Sequence, residues 1–457
     1  MERDTLDKLS RRQLFGYALG AVPAGLLAFI FSLKYIEYFF DDLKLLPMYF
    51  IAGQVIYMII NAINDPLLGQ LSDKTNREKW GSRRLIYIKY GGPIWALTFV
   101  LLWFPWSLDN QFIIFLHYTI TICLFDTMLT LVILVWMALL PEMTASTDER
   151  NKANFLALLF GAMAVIPMFI VLGTLKTLSD SFRLFMIFIA IISSVLLIIV
   201  SYTCEERPEF QKDEVFPIWK SIKETIKLKS FRWFMLYNFC GVFLGSLLLS
   251  YIFVYILVLG GSTEALFGFF LIYVIIGYGA NIVCMKLQPK WGMRKVILRF
   301  GILRVIGTFG IFFLMLVPAL ESLIWIGFIW IMFFGGYSVY TTGGLMYLSV
   351  DEDELNTGTR REGIFLGVNA LFTKPAGSLG PILATVVLVS FGYQQGSDVQ
   401  PDSAFLGIKI LLLIVPAIVT AISLIFIYYY PIHGEKLEEM KAKLEILHIE
   451  KRKRIEK

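Results

Sequence analysis

The chain is short of charge. Asp, Glu, Lys and Arg together make up 17% of its 457 residues, against 57% hydrophobic and 15% aromatic, and its mean hydropathy is +0.69. Ordinary soluble domains carry about 25% charged residues, so this balance excludes a soluble globular protein of any class. Cysteine and histidine are also scarce. Cys123, Cys204, Cys240 and Cys284 lie in or beside apolar runs without metal-ligand spacing, which implies neither a disulfide framework nor a zinc centre. HExxH, a serine elbow and a Walker-type loop are all missing, so any transport must be secondary and no enzymatic motif points to a cofactor. The N-terminus, MERDTLDKLSRRQ, is polar, and no small-residue cleavage site follows the first apolar run closely, so that run is expected as a retained helix rather than a signal peptide.

Long apolar runs are what the chain does have. Twelve recur with short polar breaks, over roughly 13–36, 46–71, 85–106, 111–140, 153–177, 183–203, 233–258, 264–287, 295–318, 322–350, 363–390 and 404–430. They are continuous, which excludes the short alternating strands of a β-barrel. The expectation is an all-α membrane protein of two six-helix halves, residues 1–203 and 233–431, joined by a polar linker over 204–232 and followed by a tail over 432–457. Most of the 41 Lys and Arg fall on one side if the N-terminus is cytoplasmic. Only Lys34, Lys44, Lys176, Arg183 and Lys409 are then outside, so the positive-inside rule puts both termini in the cytoplasm of a multi-pass cell-membrane protein. The net charge of +5 reflects this topology and implies no nucleic acid. Pro217 can start a linker helix with Ile218, Ile222 and Ile226 on one stripe, and the tail repeats the pattern with Leu437, Met440, Leu444 and Leu447. Both are expected to lie on the lipid surface.

Each charge inside an apolar run needs a reason, because a carboxylate at a membrane-helix centre costs roughly 2.5–3.5 kcal/mol on a translocon-type scale. Asp65 stands in the second span, where Asn61, Asn64 and Asp65 at i, i+3 and i+4 place three oxygen-bearing side chains on one face. Pro66 removes the N–H that would bond the carbonyl of Ala62. This set suits a hard cation; its alternative use is hydrogen bonding between helices. Asp126 is a second intramembrane carboxylate, with Thr130 one turn on and Trp136 toward the helix exit. His117 reads as a packing residue, and Lys34 and Glu37 as snorkelling groups at the outer end of the first span. Lys374 lies about twelve residues into the eleventh span, roughly 18 Å from its end and near mid-membrane. A lysine there must pair, and Asp65 and Asp126 are its natural partners.

The cytoplasmic breaks carry the remaining signals. Gly69, Asp73, Arg77, Arg83 and Arg84 crowd between the second and third spans, and Asp351, Arg360 and Glu362 between the tenth and eleventh. Loops this short and charged are expected to act as a gate. KWGSRRLI at Lys79–Ile86 recurs as KWGMRKVI at Lys290–Ile297, in the same place in each half, which is the arrangement of a duplicated transporter.

NDPLLGQLSDKTNREKWGSRR resembles the helix 2–3 signature of the glycoside–pentoside–hexuronide:cation symporters, the melibiose-permease-like branch of the major facilitator superfamily. ALLPEMT followed by DER resembles that family's helix 4 exit, and TGTRREG with Lys374 its helix 10–11 stretch. The resemblance covers essentially the whole chain and implies the major facilitator fold of 12 transmembrane helices in two pseudo-symmetric halves. It implies Asn64, Asp65 and Thr130 as sodium ligands, with Lys374 the neighbouring charge that links cation to solute. Asn61 stands where the sugar carriers commonly have a second aspartate, leaving sodium and proton both open as the coupling ion. The family's sugar-binding aspartates and arginine correspond to Gly25, Ile133 and Leu158, while CLFDTMLT at Cys123–Thr130 resembles animal sodium-dependent lysolipid symporters.

The expectation is therefore a secondary active transporter, cation-coupled, working on a sugar or glycoside-like solute by alternating access, without a cofactor and as a monomer. A lysolipid or other amphipathic solute is the second expectation. An intramembrane hydrolase using Asp65 and Asp126, and a non-transporting receptor on the same fold, stand behind both.

Overall fold

The protein is described from a computed structural model covering residues 8–73, 75–144, 149–150, 152–162, 177–206, 218–250, 263–317, 319–320, 324–358, 362–397 and 399–455. Within these, the side chains at 65, 66, 70, 73, 77, 218–222, 249–250, 263–271, 273–274, 324–325, 341–343, 362–363, 448 and 450–455 lie outside the description. Among the described residues there is no strand, and nine helices are long and apolar enough to cross a membrane. Of the other three expected spans, the fifth is described only as Lys152–Ala162, the eighth is a helix over Thr263–Trp291, and the tenth is broken. The chain divides into two compact units, one of residues 1–215 with 249–267 and 394–399, the other of 216–248, 268–393 and 400–457.

In the first unit, α1 (Arg11–Leu19) begins at a capping box in which the Ser10 hydroxyl accepts the Gln13 N–H and the Gln13 side chain accepts the Ser10 N–H. It meets α2 (Ala21–Ile36) at Gly20, where a Cβ would stand 2.3 Å from the Trp136 indole nitrogen. Only a residue without a side chain admits that indole. The first span then continues as a π-helix through Asp42, six residues beyond its expected end. This corrects the outer charges: Lys34 is 3% exposed and bonded to Glu37, Nζ to Oε2 2.7 Å, so the pair is buried rather than snorkelling.

The unit is completed by α3 (Pro47–Asp73), α4 (Leu85–Leu102), α5 (Gln111–Met143), α6 (Lys152–Ala162) and α7 (Asp180–Thr203), with α4 packed between α5 and α7. Gly92 of α4 sits where a Cβ would meet Leu197 of α7 at 2.8 Å. Glu206, just past α7, reaches back to the start of α4, its carboxylate accepting the N–H groups of Arg83, Arg84 and Leu85 at 2.8, 2.6 and 2.7 Å. Helix N-termini leave such donors unpaired and carry partial positive charge, so one carboxylate answers both needs.

The second unit starts with α8 (Ile218–Lys227), the linker helix, which packs on the long α14, and continues through α9 (Lys229–Ser250), α10 (Thr263–Trp291) and α11 (Met293–Leu314). The expected continuous tenth span is instead α12 (Ile324–Phe333), a 3-10 turn over Gly336–Val339, a π-helix over Thr341–Met346 and α13 (Tyr347–Thr357). A Cβ on Gly336 would stand 2.6 Å from the Ala280 backbone of α10, so the break occurs where two backbones touch. Then follow α14 (Glu362–Ser390), α15 (Asp402–Lys409), α16 (Val415–Tyr428) and the tail helix α17 (Glu435–Ile455). Met440 and Leu444 of α17 are buried in the core of this unit, Leu437 packs against it, and Lys436 bonds Glu352 of α13 at 3.0 Å. The apolar stripe of the tail is thus spent on protein, correcting its assignment to lipid.

The glycines of the repeated KWG loops share a positive φ. Gly81 has φ +76° and Gly292 φ +74°, both positive and both with nothing near a Cβ, so the constraint is backbone alone. Gly292, with ψ 149°, lies near a region open essentially to glycine, so Gly292→Ala should cost about 1–3 kcal/mol and lower the thermal midpoint in detergent. Gly277→Ala, inside α10 with open space around it, should leave the midpoint level or raise it. Glu206→Ala strips one buried and two part-buried donors of their acceptor; a midpoint drop worth about 1–3 kcal/mol is expected, and none would mean water replaces the carboxylate.

Candidate functional site

The polar residues of α3 and α5 meet face to face. On α3, Tyr57, Asn61 and Asn64 follow one another at i, i+4 and i+7, one stripe of a 3.6-residue helix. On α5, Asp126, Thr127 and Thr130 face them. The Tyr57 hydroxyl donates to Asp126 Oδ1 at 3.0 Å and accepts the Asn61 amide N–H at 3.2 Å; Asn64 donates to Thr127 Oγ1 at 2.9 Å. Asp126 and Asn61 are 7% and 8% exposed, and Thr130 is buried beside them on α5. Asn61 gives its amide N–H to Tyr57, and its Oδ1 is buried with no hydrogen-bond partner among the described residues. A spare buried acceptor costs about 1–3 kcal/mol, and an oxygen-seeking cation is one species that satisfies it. The donor set of amide, hydroxyl and single carboxylate oxygens fits such a hard cation, carried as cargo. Among the described residues, no three His, Cys, Asp or Glu gather for a metal.

The other sequence-derived residues divide between places. Asp65 is in α3, one turn after Asn61, and its side chain lies outside the described residues, as do those of Asp73, Arg77 and Glu362; Arg360 lies outside them altogether. Trp136 is stacked on Tyr17, ring centroids 4.9 Å apart, and its N–H donates to the Tyr17 carbonyl at 3.1 Å, so its contacts hold α5 to α1. A Cβ on Gly69 would find only Leu134, at 3.9 Å. His117 packs against Phe39 and Trp106, with Nε2 3.0 Å from the Leu101 carbonyl. Lys374 and Asp351 belong to the second unit, Lys374 half-buried in the middle of α14 before Pro375 and Asp351 in α13.

Arg83 and Arg84 converge on Glu142 at the C-terminal end of α5. Arg84 Nε lies 3.0 Å from Glu142 Oε1, Arg83 also bonds that oxygen, and Arg84 Nη1 donates to Ser72 of α3 at 2.5 Å. The described partners of this arginine pair are thus within its own unit, where they tie α3, α4 and α5 together. Glu149 accepts the Leu9 N–H and a bond from Lys152, and these hold its carboxyl below the usual carboxylate range, Lys152 foremost.

Tyr57, Thr127, Ser72 and Glu206 are missing from the sequence-derived set. Tyr57 had a signal, its i−4 spacing from Asn61 on the polar stripe. Glu206 had none, because it acts 121 residues away on Leu85.

The profile of the MFS/sugar transport protein family matches residues 16–434. Transmembrane protein 180 of Gallus gallus is 23% identical over 90% of this chain and 91% of its own length. The symporter YnaJ of Bacillus subtilis is 25% identical over 97% of each. Sodium-dependent lysophosphatidylcholine symporter 1 of Xenopus tropicalis is 22% identical over 96% of this chain and 91% of its own. A crystal structure of a D-xylose–proton symporter superposes with a TM-score of 0.62 at 14% identity, over 92% of this chain and 98% of that one, which shows a shared fold. The hydrolase expectation falls with these findings. With the profile spanning both halves and the KWG loop repeated in each, the chain belongs to the MFS/sugar transport protein family and is a multi-pass membrane transporter of the major facilitator superfamily rather than an enzyme.

Proposed function

We propose that the protein is a cation-coupled symporter of a sugar or glycoside-like solute. The observation that carries the coupling is the buried α3–α5 face, where Tyr57 joins Asn61 to Asp126 and Asn61 Oδ1, one turn from Asp65, is buried with no hydrogen-bond partner among the described residues. In this reading Asn61, Asn64, Asp65 and Thr130 take the cation, sodium or a proton. Lys374 is the charge through which the solute senses it. Coupling requires that cation and solute each raise the other's affinity by the same factor. The membrane potential then contributes about 2.3 kcal/mol per charge per 100 mV in a cell membrane with both chain ends cytoplasmic. The charged loops holding Gly69, Asp73, Arg77, Arg83, Arg84, Asp351, Arg360 and Glu362 gate the cytoplasmic side.

A lysolipid-like, amphipathic solute is the second reading. It is favoured by Gly25, Ile133 and Leu158 at the positions of the sugar-binding charges, and by the likeness to the lysophosphatidylcholine symporter.

Uptake of a pooled panel of labelled sugars, glycosides and lysolipids into proteoliposomes, under an imposed sodium or proton gradient, tests both readings. Gradient-driven uptake should vanish in Asp65→Asn, and the accumulated species names the solute. Uptake independent of the gradient in wild type and mutant alike leaves a facilitator and removes the coupling assignment. Tyr57→Phe should raise the half-saturating cation concentration by roughly tenfold or more, since a hydrogen bond to a charged group is worth about 1.5–3 kcal/mol. An unchanged value would make Tyr57 a packing residue.

A further inference from the structure

A charge that the coupling scheme does not use sits in the other unit. Arg304 is eleven residues into α11, about 16 Å from its start at 1.5 Å per residue and so near mid-membrane. An arginine at that depth costs roughly 2.5–3.5 kcal/mol on a translocon-type scale, and such residues face the bundle interior or a water-filled cavity. Arg304 follows that rule. The buried residues of α11 are Val296, Ile297, Phe300, Gly301 and Thr308. Placed on a wheel of 3.6 residues per turn, Arg304 falls at the centre of their arc, opposite the exposed Ile302, Leu303 and Ile306.

Its surroundings are set by the interrupted helix. Arg304 Nη1 lies 3.3 Å from the Tyr337 hydroxyl and 3.5 Å from where a Cβ on Gly335 would stand, so the guanidinium rests on the turn between α12 and the 3-10 segment. Irregular backbone at membrane depth is tolerated only where protein buries it or it lines a cavity, and broken helices of transporters are where ligands bind. The α11 backbone is clamped here: the Trp330 N–H donates to the Leu303 carbonyl at 3.0 Å, and its ring fills the space above Gly307.

The site has donors that no described group receives. Among the described residues Arg304 Nε is buried without a hydrogen-bond partner, and so is the hydroxyl of Tyr340, a residue 4% exposed. Tyr340 caps the 3-10 turn three residues after Tyr337, a spacing at which side chains nearly eclipse in such a turn. Tyr337 accepts from Arg304 through oxygen and keeps its own proton to give. Among the described residues no carboxylate pairs with Arg304. The sequence agrees, since 265–320 and 322–350 contain no Asp or Glu at all.

We propose that Arg304, Tyr337 and Tyr340 form an anion-binding site in the C-terminal half, taking a carboxylate, a phosphate or a halide. Charge-assisted hydrogen bonds from a guanidinium in a low-dielectric site are about twice as strong as neutral ones, which gives the isolated charge its counter-ion. The anion has two possible sources, an acidic group on the transported solute or a free ion from solution. The first of these rests on the transport reading above.

The test is thermal unfolding of the purified full chain in detergent. The chain is titrated at constant ionic strength with chloride, phosphate and acetate, and in parallel with glucuronate against neutral glucose. Wild type should show a saturable rise in midpoint with at least one anion and none with glucose. Arg304→Gln should raise the half-saturating concentration tenfold or more, and Tyr337→Phe and Tyr340→Phe should each raise it several-fold. The tyrosine variants keep the test decisive if the arginine variant does not fold. Chloride or phosphate acting as well as glucuronate identifies a free ion; glucuronate alone identifies a solute-borne group. No saturable response in wild type, or one equal in all variants, overturns the site. Failure of cation coupling shows separately, as Asp65→Asn uptake equal to wild type, and leaves the anion titration unaffected.

Discussion

Hydrocarbon does not solvate charge, and that constraint organises this protein more than any single contact. Each polar side chain that enters the apolar runs must be met by another helix, by a turn of its own helix, or by something transported. Lys34 is met within its own turn by Glu37, and Asp126 by Tyr57 across the α3–α5 interface. Glu142 meets two arginines at once at the C-terminal end of α5. Among the polar atoms buried without a hydrogen-bond partner in the described residues, Asn61 Oδ1 in one unit and Arg304 Nε in the other stand beside further polar groups at membrane depth. Burial without a partner is costly, and where further polar groups converge on the same place a ligand is one explanation for its persistence.

Close approach of backbones is the second constraint, and it follows from the first. Helices in lipid gain little from burying apolar side chains, so they associate through packing and hydrogen bonds, which small residues permit. Gly20 admits the Trp136 indole, Gly92 admits Leu197, and Gly336 lets the broken tenth span touch α10. The last of these also interrupts the helix, so one glycine-rich stretch, GGYSVYTTGGL, both packs the second unit and opens irregular backbone at membrane depth.

The two KWG loops show how a duplicated sequence diverges in use. Their glycines keep a similar positive φ, and the helix before each ends at the tryptophan that precedes it, Trp80 and Trp291, but the next helix starts four residues after Gly81 and directly after Gly292. The arginines in register do different work. Arg83 bonds the Glu142 carboxylate, whereas Arg294 donates to the carbonyls of Ile427 and Tyr428 at the end of α16. In each case a cation closes a helix end, in one half through an acid and in the other through the bare carbonyls that a helix terminus leaves unpaired.

Much of this was legible in the chain itself. Length and continuity of apolar runs determine membrane helices, because each must satisfy its own backbone; the period of 3.6 then puts Asn61, Asn64 and Asp65 on one face whatever surrounds them. The positive φ of Gly81 and Gly292 was foreshadowed by a repeated motif. Relations between distant positions were not legible. That Tyr57 bridges Asn61 to Asp126, that Glu206 caps α4, that Trp136 packs on helix α1 and that the tail stripe buries in the second unit all depend on which helices lie side by side. Local pattern records how a side chain leaves its own helix. Only the tertiary structure decides what it meets there, and in a medium that supplies no hydrogen bonds of its own, what it meets determines whether a charge is structural or left for a ligand.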